Sequence, residues 1–221
     1  MRYIVTGASR GIGIETAKKL VEAGHEVYAL TRQVNTVPVP GIKYVHFALS
    51  SDSSNLDELM DELGEENFDG VVLNAGILMN QPFENTKVED IQEMFQVNVF
   101  APMAFLKRLK SRLNPGAHII NIGSMGGVQG SAKFPGLAWY SASKGAIAIL
   151  TECLAEEWKN DGVSVNCLAL GAVQTEMLQA AFPGYQAPLN PEQMGGFIAN
   201  FLQTGHQFFN GKILPVSVST P

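Results

Sequence analysis

The chain is poor in cysteine, histidine and charge, and each shortage removes a class of function. Its two cysteines, Cys153 and Cys167, form no CxxC pair and join no Cys/His cluster. One disulfide between them is conceivable, but two buried free thiols in a reducing compartment are the expected state. His25, His46, His118 and His206 are scattered without metal-ligand spacing, so no metal is expected. Charged residues are only 16% of the chain and the net charge is −6. That balance argues against a general affinity for nucleic acid or anionic membranes. No apolar run reaches membrane-spanning length, and "MRYIVTGAS" runs into a first strand rather than a targeting segment. Internal repeats, low-complexity tracts and interdomain linkers are missing too. The expectation is one cytoplasmic domain over 1–221, its 46% hydrophobic content enough for a sizeable core.

What is present alternates between two periodicities. Short β-rich runs stand at 2–7, 25–30, 42–49, 69–76, 118–124, 163–170 and 212–218. Helical patterns fill 11–23, 55–63, 87–113, 138–160 and 190–202 between them, with Pro102 predicting a kink and Pro191 a helix start. Strands separated by helix-length segments predict βαβ units with right-handed crossovers. The expected fold class is α/β, a doubly wound, mostly parallel sheet of about seven strands covered on both faces.

Three stretches carry chemistry. "TGASRGIG" (6–13) follows the first strand and opens the first helix. Gly7, Gly11 and Gly13 remove side chains that would block a tight turn, and the helix N-terminus beyond offers unpaired N–H groups to a phosphate. The spacing is GxxxGxG rather than GxGxxG, yet its place between strand and helix points to nucleotide binding. "NAG" (74–76) closes the fourth strand. "YSASK" (140–144) puts Tyr140 and Lys144 four apart, on one face of a helix. A phenol has an ordinary pKa near 10, and a nearby ammonium favours its ionised form, which suits it to proton transfer.

Together these stretches resemble the short-chain dehydrogenase/reductase family over nearly the whole chain. The resemblance implies a single-domain Rossmann fold and hydride transfer between a nicotinamide dinucleotide and a small carbonyl or alcohol. It implies that Ser9, Arg10 and Ile12 line the phosphate side of the cofactor, and that Asn74, Ala75 and Gly76 lie beside a ribose. Tyr140 is then the general acid/base and Lys144 tunes it and bonds the nicotinamide ribose. Ser124, directly after the fifth strand, holds the substrate oxygen, in preference to Ser131 or Ser141. Asn98, in "QVNVF", helps hold a relay water near the lysine, and Val173 and Thr175 meet the carboxamide. The family's dimers and tetramers pack the helices that here carry "VFAPMAFL" and "GAIAIL", which are apolar all round, so a homodimer or homotetramer is expected.

The chain departs from the family at four places. Ala48 replaces an acid that contacts adenine, leaving Leu49 to offer its backbone. Leu170-Gly171 stands for Pro-Gly, the Ser124–Tyr140 connection is long, and the substrate lid around 176–189 is short. The second strand ends "ALTRQ", without the acid that binds an NAD ribose; Arg32 there and Arg10 in the glycine loop favour NADP(H), with NAD(H) possible. Trp139 is open between pocket and core. The alternatives to a reductase are a dinucleotide-binding sensor without turnover, or an epimerase or dehydratase using the same tyrosine.

Overall fold

The computed structural model describes residues 1–32, 38–47 and 54–218. Seven strands form one sheet in the order β3-β2-β1-β4-β5-β6-β7, and every pairing is parallel. They are β1 (Arg2–Thr6), β2 (Glu26–Thr31), β3 (Ile42–His46), β4 (Phe68–Leu73), β5 (Leu113–Ser124), β6 (Ser164–Leu170) and β7 (Ile213–Val216). The helices between them are α1 (Gly11–Glu22), α2 (Ser54–Glu62), α3 (Val88–Phe95), α4 (Ala101–Leu109), α5 (Ala138–Trp158), α6 (Glu176–Ala181) and α7 (Pro191–Thr204).

Consecutive apolar residues in a strand face opposite sides, so a near-continuous apolar run needs cover on both. Ile4, Val71, Ile119 and Val165 face Leu59 of α2 and Phe105, Leu106 and Leu109 of α4. Their neighbours Val5, Val72 and Ile120 face Ala17 and Leu20 of α1 and Ile198, Ala199 and Leu202 of α7. The order of strands reverses between β1 and β4, which opens a crevice at their carboxyl ends, where ligands of doubly wound sheets bind.

Helix starts and breaks follow local chemistry. Pro191 occupies the first position of α7, and Asn190 and Gln193 cap it reciprocally, at 2.8 and 3.0 Å. The helix expected over 87–113 is corrected in two respects. It splits into α3 and α4 around a π-helical turn, Gln96–Phe100, and β5 already begins at Leu113. Pro102 lies just inside α4, after the distortion rather than at it. Lacking an N–H and crowding the carbonyl four residues back, that of Asn98, it forces the preceding turn to widen, and Ala101 donates to Gln96 five residues back. Ala48 and Leu49 lie outside the described residues.

Candidate active site

The glycine turn is built against the end of β4. Gly7 has φ +67° and Gly11 φ +59°, left-handed values that disfavour any side chain. A Cβ on Gly7 would fall 2.8 Å from Ala75 Cα, and one on Gly13 would fall 2.4 Å from the Gly7 carbonyl oxygen. Asn74 sews the two segments together, its Nδ2 donating to the carbonyls of Thr6 (3.1 Å) and Gly7 (3.2 Å). The Thr6 hydroxyl in turn accepts from the backbone N–H groups of Asn74 and Ala75, both at 3.1 Å. Beyond the turn, α1 begins with neither a side-chain cap nor an acidic residue in its first turn. That leaves a positive helix end suited to a phosphate, so the residues present fit a dinucleotide.

A cavity of about 530 Å³ runs from this turn across the carboxyl ends of the strands. Gly7, Ser9, Arg10, Gly11 and Ile12 form one wall, and Arg32 lines it where β2 ends. Asn74, Ala75 and Gly76 border its middle, and Ser124, Tyr140, Lys144, Val173 and Thr175 border the remainder. Two expected residues stand behind the wall instead. Gly13 serves the packing of the turn, and Asn98 is buried beneath it.

Tyr140 and Lys144 share a face of α5, with Lys144 Nζ 5.9 Å from the Tyr140 ring centroid. Lys144 is 6% exposed and donates from Nζ to the Ile122 carbonyl at 2.8 Å. Burial lowers its pKa to about 8, so it keeps most of its charge at neutral pH. Burial pushes Tyr140 up to about 12, with a hydrogen bond to Ser124 pulling the other way. The phenol is therefore neutral at neutral pH. Ser124 also accepts from Gly126 N–H at 3.2 Å, which fixes its hydroxyl at the end of β5.

Asn98 is bonded to two separate segments. Its side chain accepts from Ile77 N–H (2.8 Å) and donates to the Ile77 carbonyl (2.9 Å) and the Ser143 hydroxyl (3.0 Å). Ser143 passes the link on to the Tyr140 carbonyl at 2.8 Å. The amide is therefore a strut between the 76–78 turn and α5. Arg10 is engaged as well, in an exposed ion pair with Glu176 at the start of α6. Thr175 caps that helix through its hydroxyl, 3.2 Å from Leu178 N–H. Trp139 turns away from the cavity and stacks on Phe83, centroids 5.3 Å apart.

Sequence reasoning missed Thr6, Ser143, Phe134 and Leu137. The first two lie inside quoted motifs, at positions that carry no phosphate or proton themselves. The last two sit in the glycine-rich connection before α5 and line the cavity. Among the described residues, no group of three or more His, Cys, Asp and Glu side chains could hold a metal ion, and no helix is long and apolar enough to cross a membrane.

A parallel sheet with a phosphate-ready turn at its switch point, and a tyrosine, lysine and serine on the wall of the same cavity, define a dinucleotide-dependent oxidoreductase. The chain belongs to the short chain dehydrogenase family, whose model matches residues 2–186. It is 33% identical to carbonyl reductase family member 4 of Danio rerio over 185 residues, 79% of this chain and 76% of that one. Its fold superposes on a 4-hydroxyisoleucine dehydrogenase mutant complexed with NADH and succinate (TM-score 0.86, 24% identity, covering 98% of this chain and 96% of that one). It also superposes on a short chain dehydrogenase from Burkholderia cenocepacia in complex with NADP (TM-score 0.83, 23% identity, covering 99% and 97%). The protein is thus an NAD(P)-dependent oxidoreductase acting on a small molecule.

Proposed function

We propose that the protein is an NADP(H)-dependent carbonyl reductase or alcohol dehydrogenase with Tyr140 as its general acid/base. The observation that carries this reading is the meeting of Tyr140, Ser124 and Lys144 on one cavity wall, at the end away from Arg32. A dinucleotide held by the glycine turn and Arg32 would supply or accept the hydride. Tyr140, neutral through burial, gives its proton to the carbonyl oxygen, while the Ser124 hydroxyl donates a hydrogen bond to that same oxygen. Lys144, charged at neutral pH, favours the phenolate left behind. Gly76 leaves room beside it, since a Cβ there would sit 3.4 Å from Nζ. Asn98 holds the turn and the helix in register, and residues 176–189, beginning with α6, cover the substrate as a short lid.

The choice of NADP(H) rests on the end of β2, where Arg32 borders the cavity and no acid stands. Arg10 is a second donor, because an ion pair as exposed as the one with Glu176 holds it weakly. Fluorescence titration with NADPH and NADH tests this. Tighter NADPH binding, weakened about tenfold by Arg32→Ala with NADH affinity unchanged, is the expected result for losing one charge-assisted phosphate contact. Equal affinities in the parent protein would overturn the preference.

The protein works as a homodimer or homotetramer in the cytoplasm. Phe100, at the end of the π-helical turn, and Ile149, on α5, are 56% and 60% exposed, on the two elements the sequence shows as apolar all round. Placing glutamate at both positions is expected to shift the sedimentation profile to monomer; an unchanged profile would exclude this face. Cys153 and Cys167 are unpaired, which fits a reducing compartment, but only Cys167 is buried as expected and Cys153 is exposed.

A further inference from the structure

The end of the cavity that holds Ser124 and Tyr140 differs in character from the glycine-turn end. Of the charged side chains that line the cavity, Arg10 and Glu176 pair with each other, Arg32 stands at β2, and Lys144 is bonded to the Ile122 carbonyl. The wall near Tyr140 is apolar. Leu137 lies one turn before it, Phe134 precedes that, and Met177, Leu178, Phe182 and Tyr185 face in from α6 and the loop after it.

Two features show that this apolar mouth is built. The segments that form it are tied together: Phe134 and Phe182 meet edge to face with centroids 6.4 Å apart, and Asn80 Nδ2 donates to the Ala181 carbonyl at 2.8 Å. Gln81 N–H reaches the Gly136 carbonyl on the other side, at 3.0 Å. The mouth is also left uncovered. Phe134, Met177 and Tyr185 are 40%, 40% and 46% exposed while bordering the cavity. Large apolar side chains kept wet at a cavity are stabilised when a ligand's apolar surface covers them. Among the charged side chains lining the cavity, a carboxylate carried beside the reacting carbonyl would find Lys144 held by the Ile122 carbonyl, with Arg10 and Arg32 at the dinucleotide end.

We infer that the substrate is an uncharged carbonyl compound, or its alcohol, bearing a flat aromatic or conjugated body that packs on Phe134 and Phe182. This rests on the carbonyl-reductase reading above and gives that site its substrate class. Aromatic faces at the mouth select a flat ring through offset and edge contacts that a methyl group cannot make.

Three diketone-type probes separate the requirements: 2,3-butanedione, 1-phenyl-1,2-propanedione and benzoylformate. The second adds a ring to the first, and the third replaces its acetyl group by a carboxylate. With NADPH or NADH, kcat/KM is expected to be about tenfold higher for the phenyl diketone than for butanedione, the scale of discrimination an apolar pocket gives. It should fall by about a hundredfold for benzoylformate, whose charge is buried unpaired. Phe182→Ala should lower kcat/KM for the phenyl diketone about tenfold more than for butanedione, so that the preference between the two disappears. Phe134→Ala, from the other side of the pair, should do the same, and calorimetry should show the matching loss of phenyl-diketone affinity. Benzoylformate turned over as well as the phenyl diketone, or variants that affect all probes equally, would overturn the inference and leave the reductase reading standing. Oxidation of neither cofactor by any probe would overturn both.

Discussion

Replacing Tyr140 by phenylalanine is expected to lower turnover of a carbonyl substrate by about 10²–10⁴-fold, the range for loss of a positioned general acid. The hydroxyl is the one atom removed, and its protein partner is Ser124, so the fold should be untouched. Affinity for NADPH should stay within about twofold, because the ring remains and the binding energy lies in the glycine turn and basic side chains. Ser124→Ala should be milder, since one oxygen-binding hydrogen bond is lost while the proton donor is kept. Steady-state kinetics with a cofactor titration on each variant separates these terms. A Tyr140→Phe protein with more than a tenth of the parent rate would remove the tyrosine from the mechanism.

Acidification is expected to destabilise the protein through His118, far from the reacting groups. This ring is 1% exposed, its Nδ1 lies 3.0 Å from the Leu202 carbonyl and its Nε2 3.0 Å from Asn166 Nδ2. A carbonyl accepts and an amide nitrogen donates, so the network assigns the hydrogen to Nδ1 and leaves Nε2 to accept. Burial lowers the pKa to about 4, and the nearby His206 adds to the effect. Above the ordinary value of about 6.5 the imidazole is neutral in both the folded and the unfolded chain, and stability is indifferent to pH. Below it the unfolded chain takes up a proton that the folded protein refuses, so stability falls as the pH falls towards 4. Between pH 7 and 5 the loss is about 2 kcal/mol, and it approaches about 3 kcal/mol by pH 4. Urea denaturation at these pH values checks this against His118→Gln, which should be less stable at pH 7 and lack most of the slope. An equal slope in both proteins would exclude His118 as its source.

What the sequence disclosed and what it hid divide along the range of the interactions. The glycines of 6–13 and the i,i+4 pair of 140–144 are local constraints, written in neighbouring residues, and the structure brings both to one cavity. The alternation of strand and helix was legible for the same reason: paired apolar residues such as Ile4 and Val5 announce a strand covered on both sides. The occupation of Asn98 by Ile77 and Ser143, the pairing of Arg10 with Glu176 and the Phe134–Phe182 contact join segments 21 to 166 residues apart, and no periodicity signals them. The widened turn before Pro102 was half visible, because proline marks a break while the break falls on the residues preceding it. The phenol's upward shift is a balance of burial against a hydrogen bond with Ser124, and the i,i+4 motif reveals neither.

Tracing the hydride tests the central claim most directly. NADPH carrying deuterium at nicotinamide C4, supplied in either stereochemical form, is incubated with the protein and 1-phenyl-1,2-propanedione, and the alcohol formed is examined by mass spectrometry and NMR. Deuterium from one of the two labelled forms on the carbinol carbon, with the Tyr140→Phe protein giving little or no labelled product, is the predicted result. Alcohol formed without deuterium from either form, or no alcohol from this or any other carbonyl compound despite bound cofactor, would contradict the assignment.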